Sequence, residues 1–162
     1  RRPTGMECLQ TMWFSRKQGP SGAAESGPTA TTKQRGDAAE DAALEHLQRQ
    51  GLRLVQRNFR TPGRGGGEVD LIMRDRDGTL VFVEVRQRAS ASRGGAGGSI
   101  TALKQRRIVF AARHFLQRLG SEPPCRFDVV LIQGRTGAPE DDRGAPVHIE
   151  WLRAAFDATA TF

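Results

Sequence analysis

The sequence predicts an α/β domain, a small mixed β-sheet flanked by helices. Three observations carry this. A capped amphipathic run occupies 36–51, an apolar hairpin folds about an Asp-Gly turn within 65–88, and a second amphipathic run at 101–120 leads into an apolar strand. The predicted order is α-β-β-β-α-β.

Each element has its own signals. In "GDAAEDAALEHLQRQG" Asp37 can cap a helix, Glu40 stands three residues later at capping-box spacing, and Gly51 closes it. "RLVQRNFR" (53–60) reads as a strand and "TPGRGGG" as a loop. "GGGEVDLIMRDRDGTLVFVEVRQR" (65–88) reads as two strands around a turn. "ASASRGGAGGS" (89–99) reads as a flexible loop able to close over a substrate. In 101–120, Ile108, Ala112, Phe115 and Leu119 recur on one helical side. "RFDVVLIQG" (126–134) is an apolar, buried strand interrupted by Asp128, either a polar contact near a site or an ordinary structural carboxylate. "GRTGAPEDDRGAP" is a polar loop, and "VHIEWLRAAF" (147–156) is a short closing element. Residues 1–35, rich in Gly, Ser, Thr, Pro and Ala, read as a disordered tail. The domain is placed at 36–157, with a short tail at 158–162.

Composition narrows the function classes. The chain has 162 residues, 37% hydrophobic and 27% charged, with a net charge of +7 and a pI near 10.8. This favours an anionic partner, nucleic acid first, although heavy arginine use can also reflect a GC-rich genome. Cys8 and Cys125 form neither a disulfide framework nor a zinc spacing and fit a reducing cytosol. No apolar run approaches the roughly 20 residues of a membrane helix. The first twenty residues lack the apolar core of a secretory signal. The expected location is therefore cytoplasmic, without membrane contact. The glycine-rich "GGAGGS" lacks the lysine of a phosphate-binding loop, no G-x-S-x-G occurs, and His46, His114 and His148 stand isolated.

The hairpin carries the chemistry. With Arg76, Asp77 and Gly78 as a three-residue loop, Asp75 pairs with Thr79. Counting outward, Asp70 then lies opposite Glu84, and Glu68 opposite Arg86. Alternation puts Glu68, Asp70, Ile72, Phe82, Glu84 and Arg86 on one face. Val69, Leu71, Val81, Val83 and Val85 take the other. A two-residue Asp77-Gly78 loop would instead shift the register by one and separate the two carboxylates.

Directly opposed side chains stand roughly 4.5–5.5 Å apart at Cβ, where like charges repel. Two carboxylates persist there if one is protonated, if cations neutralise them, or if a metal bridges them. Glu40 lies on the stripe of Ala43, Leu44 and Leu47, so it either faces the sheet as a third carboxylate or merely completes the capping box. Clustered oxygen ligands without His or Cys suit Mg²⁺ or Mn²⁺, and Arg86 could hold a phosphate beside them. From Val85 to Ser121 no acid occurs, but eight cations do. Arg88, Lys104, Arg106 and Arg107 are the candidate phosphate contacts.

Asp70 followed by Glu84-x-Arg86, with a glutamate on the preceding helix, resembles the PD-(D/E)XK nuclease signature. The blocks "GDAAEDAALEHLQRQGLRLVQRNFR", "GEVDLI", "LVFVEVRQR", "TALKQRRI" and "RFDVV" are similar, in order, to the YraN family of uncharacterised bacterial proteins. The resemblance covers about residues 36–156. It implies a restriction-endonuclease-like fold related to Holliday-junction resolvases, with Mg²⁺ at Glu40, Asp70 and Glu84 and with Arg86 in the lysine position. It also implies action on DNA rather than RNA, branched or damaged DNA included, and, by analogy with resolvases, a homodimer. The family's motif usually ends in EVK, whereas this chain has EVR. Arginine cannot act as a base at ordinary pH but can grip phosphate. Three readings follow: a metal-dependent endonuclease, a nucleic-acid-binding module that keeps the fold without the chemistry, and a structural protein in which Arg86 pairs with Glu68.

Overall fold

The structure, a computed structural model, describes residues 31–63, 65–88, 100–134 and 147–158. The elements are α1 (Thr32–Arg49), β1 (Arg53–Arg60), β2 (Glu68–Arg74), β3 (Leu80–Arg88), α2 (Ala102–Leu119), β4 (Cys125–Gln133) and β5 (His148–Phe156). They form one sheet of order β1-β2-β3-β4-β5. The first six elements follow the predicted order, with β1-β2-β3 antiparallel and β3-β4 parallel across α2. This is the mixed α/β arrangement expected of a restriction-endonuclease-like fold. The closing element is a full fifth strand, antiparallel to β4.

Helix α1 begins before the predicted start at 36. Thr31 accepts the Gln34 N–H at 3.2 Å and Gln34 Oε1 accepts the Thr31 N–H at 2.8 Å, a complete capping box. Asp37 therefore lies inside the helix, and residues 32–35 belong to it rather than to a tail. Glu40 is released from any capping duty. Residues 1–30, with Cys8, and the loop at 89–99 lie outside the described residues, as do the polar loop from 135 and the last four residues. Among the described residues no helix is long and apolar enough to cross a membrane.

The hairpin turn fixes the register. Gly78 sits at φ +90°, Gly78 N–H donates to Asp75 O at 3.1 Å, and Asp75 N–H donates to Thr79 O at 2.9 Å. The pairs Leu71–Val83, Ile72–Phe82, Met73–Val81 and Arg74–Leu80 follow, which is the register of the three-residue loop.

Helices cover both faces, which makes three layers. Ala39, Ala43 and Leu47 of α1 pack on Leu71, Met73, Val81, Val83, Val130 and Ile132. Ile108, Val109, Ala111, Ala112 and Phe115 of α2 pack on Phe59, Ile72, Phe82, Phe127, Val129 and Leu131. Two predicted core positions differ. Val69 packs with the α2 cluster rather than beside Leu71, because β2 loses strict alternation at Asp70. Leu119 is 40% exposed, since the buried stripe of α2 ends at Phe115. The loop before β2 is clamped to α2 at Gly67, where an added Cβ would collide with the Arg107 carbonyl.

Asp128 is structural. It is fully buried on β4 and accepts from Arg126 Nε at 3.1 Å, Trp151 Nε1 at 3.0 Å and the Ala154 N–H at 2.9 Å. Ala154 has φ +46°, and the β4-β5 register shifts between Phe127 and Val129. The buried carboxylate thus supplies the acceptor that the irregular ladder lacks. Asp128→Ala leaves a guanidinium, an indole N–H and a backbone N–H without their shared acceptor, and is expected to cost about 3 kcal/mol or more. Urea unfolding measures this, and a loss below about 1 kcal/mol would show that β5 is held by packing alone.

Candidate metal-binding carboxylate site

Asp70 sits where the sheet opens. Its neighbours pair normally on β1, Arg57 with Leu71 and Phe59 with Val69, while pairing with β3 starts only at Leu71. The intervening β1 residue, Asn58, adopts φ +49°, a left-handed conformation that asparagine tolerates better than most residues. On the other side Asp70 Oδ2 accepts the Val85 N–H at 2.8 Å. The side chain takes the place of a ladder carbonyl and is held facing Glu84.

The two carboxylates interact electrostatically, the charge of Asp70 acting on Glu84. Glu84 is only 7% exposed. Burial first, and then the charge of Asp70, pushes its pKa up to about 7, against the pull of Lys104. Burial also raises Asp70, with the Val85 N–H and Lys104 opposing. Glu40 reaches the same region from α1, with its side chain 16% exposed. Its carboxyl is raised by burial and then by Asp70, while a hydrogen bond from Asn58 and the charge of Arg57 oppose that shift.

Lys104 comes from the first turn of α2, after the Thr101 cap, and its Nζ lies 3.0 Å from Glu84 Oε2. The contact has the distance of a hydrogen bond without its direction, so Glu84 Oε2 stays buried with charge beside it and no donor aimed at it. Glu40 Oε2 is buried and undonated as well, its nearest cation being Arg57 at 3.7 Å.

The other predicted residues fall as follows. Arg86 is partly buried on β3 opposite Leu131, and Arg88 ends that strand opposite Gln133. The Arg88 side chain lies outside the described residues. Glu68 is taken by Arg60 across β1, at 2.6 Å. Arg106 and Arg107 are exposed on α2. Lys104, expected among the phosphate contacts, is brought to the carboxylates instead. Asn58 escaped the sequence reading, and the available signal was an asparagine inside a strand, where that residue is depleted.

Among the described residues no three Asp, Glu, His or Cys side chains already converge as a metal cage. The donors nevertheless fit a hard divalent cation. All are carboxylate oxygens, two of them lack any donor, and Mg²⁺ typically uses only one or two carboxylates while keeping its waters.

The comparisons with known proteins now bear on this site. Residues 39–132 match the model of a family described as "Uncharacterised protein family UPF0102". The chain belongs to the UPF0102 family. A UPF0102 protein of Polaromonas naphthalenivorans is 60% identical over 156 residues, covering 91% of this chain and 100% of its own. Those of Paracidovorax citrulli and Albidiferax ferrireducens are 62% and 63% identical, over 86% and 79% of this chain and 93% and 91% of theirs. The match confirms the YraN-family resemblance, and the stretch shared with the UPF0102 model contains Glu40, Asp70, Glu84 and Lys104.

The raised carboxyl makes stability depend on pH. Between the ordinary glutamate value of 4.5 and about 7, the folded state binds more protons than the unfolded state. Stability therefore falls as pH rises through that window, by up to about 3 kcal/mol. Glu84→Gln should flatten the curve and raise the melting temperature at pH 8. A wild-type curve already flat from pH 5 to 8 would show that Glu84 is not raised in the folded protein.

Proposed function

We propose that this UPF0102 protein is a metal-dependent nuclease-like phosphodiester hydrolase acting on DNA, branched or damaged DNA included. One observation carries the reading: a buried Glu84 facing Asp70, with an undonated oxygen and a lysine ammonium 3.0 Å from it, on the middle strand of the sheet. A basic helix beside the pair supports a polyanionic substrate.

Asp70 and Glu84 would hold Mg²⁺ or Mn²⁺, with Glu40 assisting from α1. The cation would supply Lewis acidity toward a phosphate oxygen and a water of lowered pKa. The protein's own groups do the positioning. The Val85 N–H fixes Asp70. The Lys104 ammonium carries three donors, so it can face Glu84 and still offer one to a phosphate oxygen. Arg86 can grip the phosphate in two-pronged fashion but cannot take a proton from water. The ammonium that the nuclease pattern places two residues after the glutamate is thus supplied here from α2.

The second reading, a binding module without chemistry, rests on Arg86 in the lysine position. Labelled single-stranded, linear duplex and four-way-junction DNA, with and without Mg²⁺ or Mn²⁺, separate the two. Metal-dependent cleavage is expected, abolished in Glu84→Ala and lowered about 10²-fold in Lys104→Ala. Arg86→Lys should retain activity. Binding without cleavage in every metal would establish the binding module instead.

A further inference from the structure

The buried side of α2 is accounted for by the core, and Lys104 by the carboxylates. Its outer side is not. Leu103 is 59% exposed and Phe110 46% exposed, both large apolar groups in water. They lie in an open groove of about 490 Å³ with Arg106, Arg107 and Arg113, and Gly65 also lines it. Arg107 also lines an adjoining recess of about 270 Å³ with Arg60, Thr61 and Gly66. The Phe110 ring stands edge-on to the His114 ring, with centroids 4.7 Å apart at 65°. Phe110 lines the groove beside that contact.

We infer that this groove receives an unpaired nucleotide, its base stacked on Phe110 and its phosphates held by Arg106, Arg107 and Arg113. The inference rests on the nucleic-acid reading of the carboxylate site and names the form of strand that site is fed. An exposed aromatic ring among cations is what sequence-tolerant binding of single strands uses, because every base has a π-face and every linkage a charge. A duplex hides its base faces and would meet only the arginines.

Charge decides against a second copy as the occupant. In a two-fold pair each residue meets its own patch on the partner. Three arginines would then be set against three, with no acid on α2 to relieve them. A phosphodiester strand satisfies the same charges.

The placement suits one continuous substrate path. Phe110 lies six residues beyond Lys104, about 9 Å along the helix axis. Gly65 belongs to the loop that is clamped to α2 at Gly67 and leads into Glu68 and Asp70 of β2. A strand with a phosphate at Lys104 can therefore lay a nearby base in the groove.

The test is fluorescence anisotropy of the full chain, in EDTA, with labelled single-stranded DNA and with duplex of the same sequence. Phe110→Ala should weaken single-strand binding about tenfold or more and leave duplex affinity within about twofold, and Phe110→Trp should restore the loss. Arg106→Ala with Arg107→Ala should weaken both and reduce the salt dependence. An unchanged melting temperature for Phe110→Ala is expected of a half-exposed ring. Single-strand affinity unaffected by Phe110→Ala would overturn the inference and leave the proposed function standing. The same unaffected affinity, with a dimer turned to monomer in sedimentation, would give the face to a second copy. Wild-type protein that binds no nucleic acid at all would overturn the proposed function and this inference together.

Discussion

Two carboxylates on adjacent strands, drawn out of water, cannot both keep a full negative charge without help. Most of the local structure around Asp70 and Glu84 is a response to that constraint. The Val85 N–H leaves the ladder for Asp70, Asn58 takes a left-handed conformation opposite it, and Lys104 is brought down from α2 to Glu84. Even so the burial is under-compensated, and a proton is retained near neutrality. A fold selected only for stability could replace the pair with apolar residues of similar size and gain by it. Under the proposed hydrolase reading the destabilised pair is kept on the middle strand of the sheet because a divalent cation would take the proton's place.

The centre of this arrangement was legible in the sequence because it depends on counting. Gly78 fixes the hairpin loop, the loop fixes the register, and the register sets Asp70 against Glu84. Leu71, Val81 and Val83 took their predicted face for the same reason. What depended on distant contacts was not legible. Thr31 and Asp37 are both good caps, and only the reciprocal Gln34 bond selects the first. Strand β5 has weak alternation in "HIEWLRAAF", and its register relies on Asp128, twenty-six residues before Ala154. Val69 obeys alternation on paper but follows the kink that opens the ladder at Asp70.

Helix α2 shows why a long run without acids is not simply a solvated face. Its inner stripe, Ile108, Ala112 and Phe115, is ordinary core. An acid in its first turn would favour the helix dipole, yet none is present there. An acid would also add a further negative charge beside Glu84, where Lys104 now stands. The same exclusion on the outer side keeps the Arg106–Arg113 stretch uniformly positive. A single element thus serves the core and the carboxylate pair, and under the proposed function its arginine-rich outer side would face a polyanion.

The arginine at position 86 is the sharpest departure from the nuclease pattern, and Lys104 changes its meaning. A lysine on β3 would be carried by the same strand as Glu84, whereas Lys104 arrives on a helix capped by Thr101 and packed through Ile108 and Ala112. Its position is therefore set by tertiary packing rather than by strand geometry. The compact ammonium is in contact with Glu84, and the broader, permanently charged guanidinium lies two residues along β3. That division suits a site in which one cation tunes the carboxylate and the other grips the phosphate. Under the proposed function, Arg86 marks a redistribution of charge between strand and helix rather than the loss of a cation from the site.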